Sequence, residues 1–349
     1  MNAFLIIFTA LIILFTIIPF IRNDYWTFRV FDYPRLQKLT LSAICMILII
    51  FYYDGPVIEY AIILSIISLN IIYLLYHILP FTPLSKKEML TAKRTDKANT
   101  INIVIANVYQ ENRNAKGCLT EIKNADPDII LLIETDDFWA DATLQLKETH
   151  PYNRLLPLEN TYGMILYSKL ELKNTEVKYM VEDDIPSIHT KVILQSGEEI
   201  QLYALHPTPP VPNENVQSTE RDKELLLTAD LCKKSKLPVI VMGDLNDVAW
   251  SYTTKLFLKM SGMLDPRIGR GFFNTFHAHY PFMRFPLDHA FASPHFKFVY
   301  MKRLNNCGSD HFPINVSLQL NKEAQFKQHV EKPDSDDIAK ANEKKQKST

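Results

Sequence analysis

The chain has 349 residues, a formal charge of -1 and 47% hydrophobic residues. That balance excludes an intrinsically disordered chain and a strongly basic nucleic-acid binder, and it leaves the substrate class open. The cysteines Cys45, Cys118, Cys232 and Cys307 stand too far apart for a zinc knuckle or a paired redox motif and read as small buried hydrophobes.

Apolar residues crowd the amino-terminal part. Ala3 to Ile21 and Leu39 to Tyr53 carry no charge, and Val57 to Leu79 carries only Glu59. About 20 helical residues cross the roughly 30 Å hydrocarbon layer of a membrane. The first and third stretches reach that length. The second is short, but Lys38 can snorkel at one end and Asp54-Gly55-Pro56 makes a tight turn into the third. Residues 1–85 are therefore predicted to hold three transmembrane helices, at about 3–21, 39–53 and 57–79. The first lacks the basic start and small-residue cleavage pattern of a signal peptide. Arg22, Arg29, Arg35 and Lys38 fill the first connection, and Lys86, Lys87, Lys93, Arg94 and Lys97 follow the third helix. The Asp54 turn has no basic residue, so the expected topology is a multi-pass protein of the cell's inner membrane with its later part cytoplasmic.

Residues 86–98 read as a polar linker and residues 321–349 as a charged tail that stays disordered or weakly helical. The 99–320 segment between them is one domain. Ile101 to Ala106, Asp128 to Ile133, Met164 to Tyr167, Val239 to Met242 and Ile314 to Leu320 read as strands, with Ser187 to Leu194 and Glu199 to Leu205 as a hairpin. Ala115 to Ala125, Thr143 to Glu148 and Ser218 to Lys234 read as helical. Strands interleaved with helices predict an α/β architecture of mixed sheets under helical outer layers.

Several of these strands end in polar groups. Glu134 ends a wholly apolar strand, where a carboxylate suits an oxygen-loving cation such as Mg2+ or Mn2+. Asn107 follows Ile101 to Ala106, and His206 ends Gln201 to Leu205 just before Pro207. Each of these alone has an ordinary structural reading. Val-Ile-Val-Met-Gly-Asp-Leu-Asn is more specific: positions two apart in a strand face one side, so Asp244 and Asn246 point together, and Gly243 admits close backbone approach. Asp310-His311 adds an acid and an imidazole, and Asp288 an acid able to fix an imidazole's tautomer.

In order and approximate spacing, Asn107, Glu134, His206, Asp244 with Asn246, Asp288 and Asp310-His311 resemble the endonuclease/exonuclease/phosphatase superfamily over about residues 99–320. That superfamily includes pancreatic-type deoxyribonuclease, abasic-site endonucleases, neutral sphingomyelinases and inositol polyphosphate 5-phosphatases. The resemblance implies a four-layer α/β sandwich, two mixed β-sheets flanked by helices, that hydrolyses phosphate esters with Mg2+ or Mn2+. It implies Glu134, Asn107 and Asp310 as the metal site. It also implies Asp244 as the group that orients or deprotonates water, Asn246 as a phosphate donor, and His206 and His311, the latter oriented by Asp288, as donors to the phosphate. Tyr109 stands where abasic-site endonucleases carry a polar metal-site residue, which argues against a repair nuclease.

Thr275 to Tyr280, with Arg267, Arg270 and Arg284, is expected to form a basic, aromatic substrate rim, and Trp250-Ser251 resembles membrane-linked bacterial members. The expected activity is a membrane-embedded phosphodiesterase on nucleic acid or phospholipid, with no protein partner. The alternatives are a phosphomonoesterase on a phosphoinositide-like substrate and a non-catalytic membrane scaffold.

Overall fold

The computed structural model describes residues 1–348. The amino-terminal region contains α1 (Asn2–Ile17), a short α2 (Trp26–Arg29), α3 (Arg35–Tyr52) and α4 (Val57–Ile78). With their one-turn extensions, Asn2–Phe20, Arg35–Tyr52 and Val57–Phe81 are long and apolar enough to cross a membrane. The second helix starts four residues before its expected boundary, at Arg35. Its first turn is polar, and Lys38 is anchored by donating to the carbonyls of Phe15 (3.0 Å) and Phe31 (2.8 Å).

The remaining elements follow as β1 (Thr100–Asn107), α5 (Ala115–Ala125), β2 (Ile129–Ile133), α6 (Asp137–Thr143), β3 (Tyr152–Leu156), β4 (Met164–Ser168), β5 (Leu172–Lys178), β6 (Ser187–Ile193) and β7 (Glu199–Leu205). Then come α7 (Thr219–Lys234), β8 (Val239–Asp244), α8 (Tyr252–Ser261), β9 (Asp288–Ala292), β10 (Phe296–Arg303), β11 (Ile314–Leu320) and α9 (Ser335–Gln346). The strands form two mixed sheets, ordered β10-β11-β1-β2-β4-β3 and β5-β6-β7-β8-β9.

Side-chain alternation divides each central strand between two cores. Ile101, Ile103 and Ile105 of β1 and Ile129, Leu131 and Ile133 of β2 meet Ile200, Leu202, Ile240 and Met242 of the facing sheet. Their neighbours Val104, Ala106, Ile130 and Leu132 pack outward on Cys118, Ile122 and Trp139 of α5 and α6. On the other side Leu205, Val241 and Phe291 pack on Leu225, Leu226, Leu256 and Phe257 of α7 and α8. Both faces of these strands are buried, so their sequences read as continuous apolar runs. The result is the expected four-layer sandwich.

Two segments are more ordered than their composition suggests. In the linker, Met89 is buried and Thr91 bridges to Phe298, which pins the segment to β10. Within the charged tail, for which weak helicity is one of the two expectations, α9 forms behind an Asp334/Asp337 capping box. Ala341 enters the outer core, and Lys344 donates to Asp24 Oδ1 and Asp222 Oδ2, both at 2.7 Å. A segment with few apolar residues has no core of its own, but fixed counter-charges order it.

The membrane-capable helices also join the sandwich. Ile78 and Phe81 pack with Trp250, Phe285 and Leu287, and Trp250 Nε1 donates to the Asp32 carbonyl at 2.9 Å. Trp250 is thus a packing residue at the junction, and Ser251 caps α8.

Candidate active site

Strand pairing gathers the polar ends. β1 and β2 run parallel with Asn107 opposite Ile133, so Asn107 and Glu134 leave the first sheet together. β7 and β8 run parallel with Leu205 opposite Gly243, which brings His206 beside Asp244, and β9 starts with Asp288 facing Asp244. The loop before β11 supplies Asp310 and His311. Glu134 (φ 60°), Tyr109 (φ 58°) and Asn246 (φ 50°) adopt the left-handed backbone region that side chains other than glycine rarely occupy.

Gly243 has a structural reason. Its φ is 144°, and a Cβ there would sit 1.9 Å from the Leu205 carbonyl oxygen. Gly243→Ala should destabilise the domain by more than about 2 kcal/mol in chemical denaturation, because neither β7 nor β8 can move without dragging the site. A midpoint equal to the parent protein's would contradict this.

The hydrogen bonds make one network. Asn107 Nδ2 donates to Glu134 Oε1 (2.6 Å) and Asp244 Oδ2 (3.1 Å), while its Oδ1 accepts from Tyr109 N (3.0 Å). Asn107 therefore bridges the two carboxylates through its amide nitrogen, and its oxygen keeps one lone pair beyond the bond from Tyr109 N. Asp244 Oδ1 accepts from Asn246 N at 3.0 Å. Asn246 Nδ2 donates to the Pro207 carbonyl at 3.0 Å, so one amide hydrogen expected for a phosphate instead clamps the β7 and β8 loops together. His311 lies between two acids, with Nδ1 2.8 Å from Asp288 Oδ2 and Nε2 3.5 Å from Asp244 Oδ2.

The two histidines are in opposite electrostatic situations. Burial alone would lower the His311 pKa, but Asp288 and Asp244 outweigh it and raise it to about 10, so the ring is an imidazolium at neutral pH. Burial lowers His206 to about 4, leaving it neutral, with its ring tilted against Tyr162 at a centroid distance of 5.1 Å and Nδ1 unpartnered. Burial raises Glu134 to about 7, and the charges of Asp310 and Asp244 add to that effect.

Glu134 is thus a half-buried carboxylate with one amide donor and two acidic neighbours, a balance that a divalent cation would correct. The oxygens of Glu134 and Asp310 suit Mg2+ or Mn2+. Asp244, Asp288 and His311 also lie close enough to hold a metal. The His311 ring itself faces both carboxylates, Nδ1 toward Asp288 and Nε2 toward Asp244, which gives that trio a closeness of its own.

Sequence reasoning missed several supporting groups. Ser309 Oγ donates to the Asn107 carbonyl (2.8 Å) and accepts from His311 N (2.9 Å). Thr275 Oγ1 accepts from Asp288 N at 3.2 Å. The Asn246 carbonyl accepts from Arg221 Nη1 (2.6 Å) and Tyr33 Oη (2.9 Å). A serine just before Asp-His is a visible local signal; Tyr33 and Arg221 carry none.

The expected basic rim is smaller than predicted. Arg267 is buried, paired with Asp265 (2.8 Å) and donating to His289 Nδ1 (2.5 Å). Arg270 donates to Met89 O at 2.5 Å, away from the cleft. Of the three, Arg284 remains, 5.0 Å from the Phe312 ring beside His311, and Arg303, not among those expected, lies 4.1 Å from the same ring. A separate groove of about 760 Å³ beside α5, lined by Leu119, Ile122 and Leu146, contains none of the site residues.

Comparison with known proteins agrees with this geometry. The profile of the Endonuclease/Exonuclease/phosphatase family matches residues 104–311. Similar solved structures include D. rerio TDP2 complexed with single strand DNA product, at 18% identity and TM-score 0.54 over 63% of this chain and 99% of that one. The endonuclease/exonuclease/phosphatase from Bacteroides vulgatus has 17% identity and TM-score 0.52 over 64% and 99% of the two chains. The human Nocturnin catalytic domain with bound sulfate anion has 17% identity and TM-score 0.51 over 64% and 94%. At these identities the likeness shows the fold. No curated protein sequence matches the chain.

Proposed function

The chain belongs to the endonuclease/exonuclease/phosphatase family, and we propose that it is a membrane-anchored, divalent-metal-dependent phosphodiesterase acting on phospholipid headgroups. Members of the family are metal-dependent hydrolases of phosphate esters. The observation that carries the lipid reading is the loop from Thr275 to Phe285. At one end, the Phe276 ring lies 5.0 Å from His311, and Ala278 N donates to the Asp310 carbonyl at 2.6 Å. At the other end, Tyr280, Phe282 and Met283 are exposed, Phe282 by 87%. The Phe282 carbonyl accepts from Gln37 Nε2 at 2.7 Å, in the first turn of a membrane-capable helix. One wall of the catalytic cleft therefore reaches the level where that helix would leave the headgroup layer, with an aromatic tip suited to dip into it.

The chemistry follows from side-chain placement. A divalent cation held by Glu134 and Asp310 would draw charge from a phosphoryl oxygen. Asp244, fixed by Asn246 N and Asn107 Nδ2, orients and deprotonates the attacking water. His311 presents a positive N–H where negative charge grows on the phosphoryl group, and Asp288 holds that ring in place. His206 offers one neutral ring N–H or acceptor from the opposite side.

A nucleic-acid strand is the second reading, favoured by Arg284 and Arg303 around Phe312 and by the DNA product in the TDP2 relative. The test is to assay the full chain in lipid vesicles with Mg2+ or Mn2+ against sphingomyelin, phosphoinositides, single-stranded DNA, RNA and bis-p-nitrophenyl phosphate. Phe282→Asp should lower hydrolysis of vesicle lipid by about tenfold or more, the value of one inserted aromatic ring, and leave bis-p-nitrophenyl phosphate unaffected. Preferred cleavage of DNA or RNA would overturn the lipid reading. Release of inorganic phosphate alone would favour a phosphomonoesterase, and no metal-dependent turnover on any substrate would favour a scaffold.

A further inference from the structure

A second polar feature lies outside the catalytic cleft. A cavity of about 260 Å³ opens where the ends of α1, α3 and α4 meet the start of α8, lined among others by Arg22, Asp32, Arg35 and Lys255. Three side chains that are ordinarily cationic face one carboxylate. Arg35 is 5% exposed; its Nη2 pairs with Asp32 Oδ1 at 2.6 Å, and its Nη1 has no hydrogen-bond partner. Lys255 Nζ lies 2.9 Å from His77 Nδ1, and burial together with the Arg35 charge lowers its pKa to about 8. The exposed Arg22 guanidinium lies at the cavity mouth, 4.4 Å from the Tyr252 ring. Asp32 answers only Arg35, and the positive charge left over in a half-enclosed site is unfavourable unless an anion joins it.

What adjoins the cavity indicates the kind of anion. An apolar groove of about 270 Å³ runs between α1 and α4, lined by Ile13, Ile17, Ile66 and Leu69. Phe20 and Tyr73 line both spaces, and their rings meet edge-on with centroids 5.1 Å apart. The cationic cavity thus sits at the end of the membrane-capable helices, and the apolar groove runs from it along their outer faces. A free phosphate would fill only the first space, whereas an amphiphile fills both.

We infer that this junction is a binding site for one anionic phospholipid, with its phosphate between Arg22, Arg35 and Lys255 and an acyl chain along the α1/α4 groove. The inference rests on the membrane reading of the three helices and is independent of the substrate proposed for the catalytic cleft, with which this cavity shares no residue. A lipid held there would tie the bilayer to Trp250, which also lines the cavity and lies four positions beyond Asn246.

The test is native mass spectrometry of the full chain in detergent, titrated with phosphatidylglycerol or phosphatidylcholine. Phosphatidylglycerol should be retained at least about fivefold more strongly, and Lys255→Gln or Arg22→Gln should each weaken its retention by about fivefold, as expected for one interfacial cation. Ile66→Trp, which fills the groove, should weaken both lipids, and millimolar inorganic phosphate should displace neither. The thermal unfolding midpoint of each variant serves as the folding control, so failure of the catalytic proposal would leave these lipid measurements interpretable. Equal retention of the two lipids, or retention unchanged by Lys255→Gln, would overturn the site. Complete competition by phosphate with no effect of Ile66→Trp would show a free-phosphate site and overturn the lipid occupant.

Discussion

Asp244→Ala is expected to lower metal-dependent turnover of a phosphodiester by at least about 100-fold, with the folded state as stable as before or more so. Asp244 is buried and shares its cleft with Asp288 and Glu134, so removing its carboxylate relieves repulsion among acids while deleting the group that aligns water. His311→Ala should cost a similar factor for a different reason, the loss of positive charge aimed at the phosphoryl oxygens. The two groups are linked through Asp244 Oδ2 and His311 Nε2, so the double variant should be little worse than either single one, as for residues acting as a unit. The His311 pKa is raised above its unfolded value of about 6.5. Its stabilising contribution is therefore complete below about 6.5 and lost as pH rises through about 10, and the charged form needed for turnover persists across the neutral range. Steady-state rates on bis-p-nitrophenyl phosphate, with thermal unfolding in parallel, check each point. Turnover by Asp244→Ala within tenfold of the parent would remove Asp244 from the mechanism.

What the sequence made legible was the set of strand ends. A central strand buried on both faces is an unbroken apolar run, so the first polar residue beyond it marks the sheet edge, as at Glu134, His206 and Asp244. How those groups are used was less legible. The role of Asn107 depends on which side of its amide meets Glu134, and that of Asn246 on the nearness of the Pro207 carbonyl; both are set by the meeting of two sheets. Arg267 belonged to an apparent basic rim, yet Asp265 and His289 bury it, and its sequence spacing to His289 carries no hint of that pairing. The edge strand β5 has mostly exposed side chains and no apolar run to announce it. The helix in the tail is held by Asp24 and Asp222, partners far away in sequence that its own composition does not announce.

That tail leads to the largest expected loss of stability. Asp222 is fully buried and accepts from Arg221 Nε (3.1 Å) and Nη2 (2.9 Å), Lys344 Nζ (2.7 Å), Ser218 Oγ (3.1 Å) and Thr253 Oγ1 (3.1 Å), with Arg29 at 3.5 Å. Burial alone would raise its pKa, but Lys344, Arg221 and Arg29 hold it well below the usual carboxylate range. Its stabilising contribution is therefore complete above the unfolded value of about 3.9 and lost as pH falls below it. Asp222→Ala leaves three buried cations facing only Asp24 and Asp247, and should destabilise the chain by about 3–5 kcal/mol in denaturant unfolding. Adding Lys344→Met should recover part of that loss, because one stranded charge is then replaced by an apolar chain of similar length. Arg221 also donates to the Asn246 carbonyl, so Asp222→Ala should reduce turnover as well, by loosening the loop that holds Asp244. Release of α9 should show as new protease cleavage near Lys344 before global unfolding. A loss below about 1 kcal/mol, or full resistance of the tail to protease, would mean that packing of Ala341 and its neighbours, and not the ion network, keeps the tail in place.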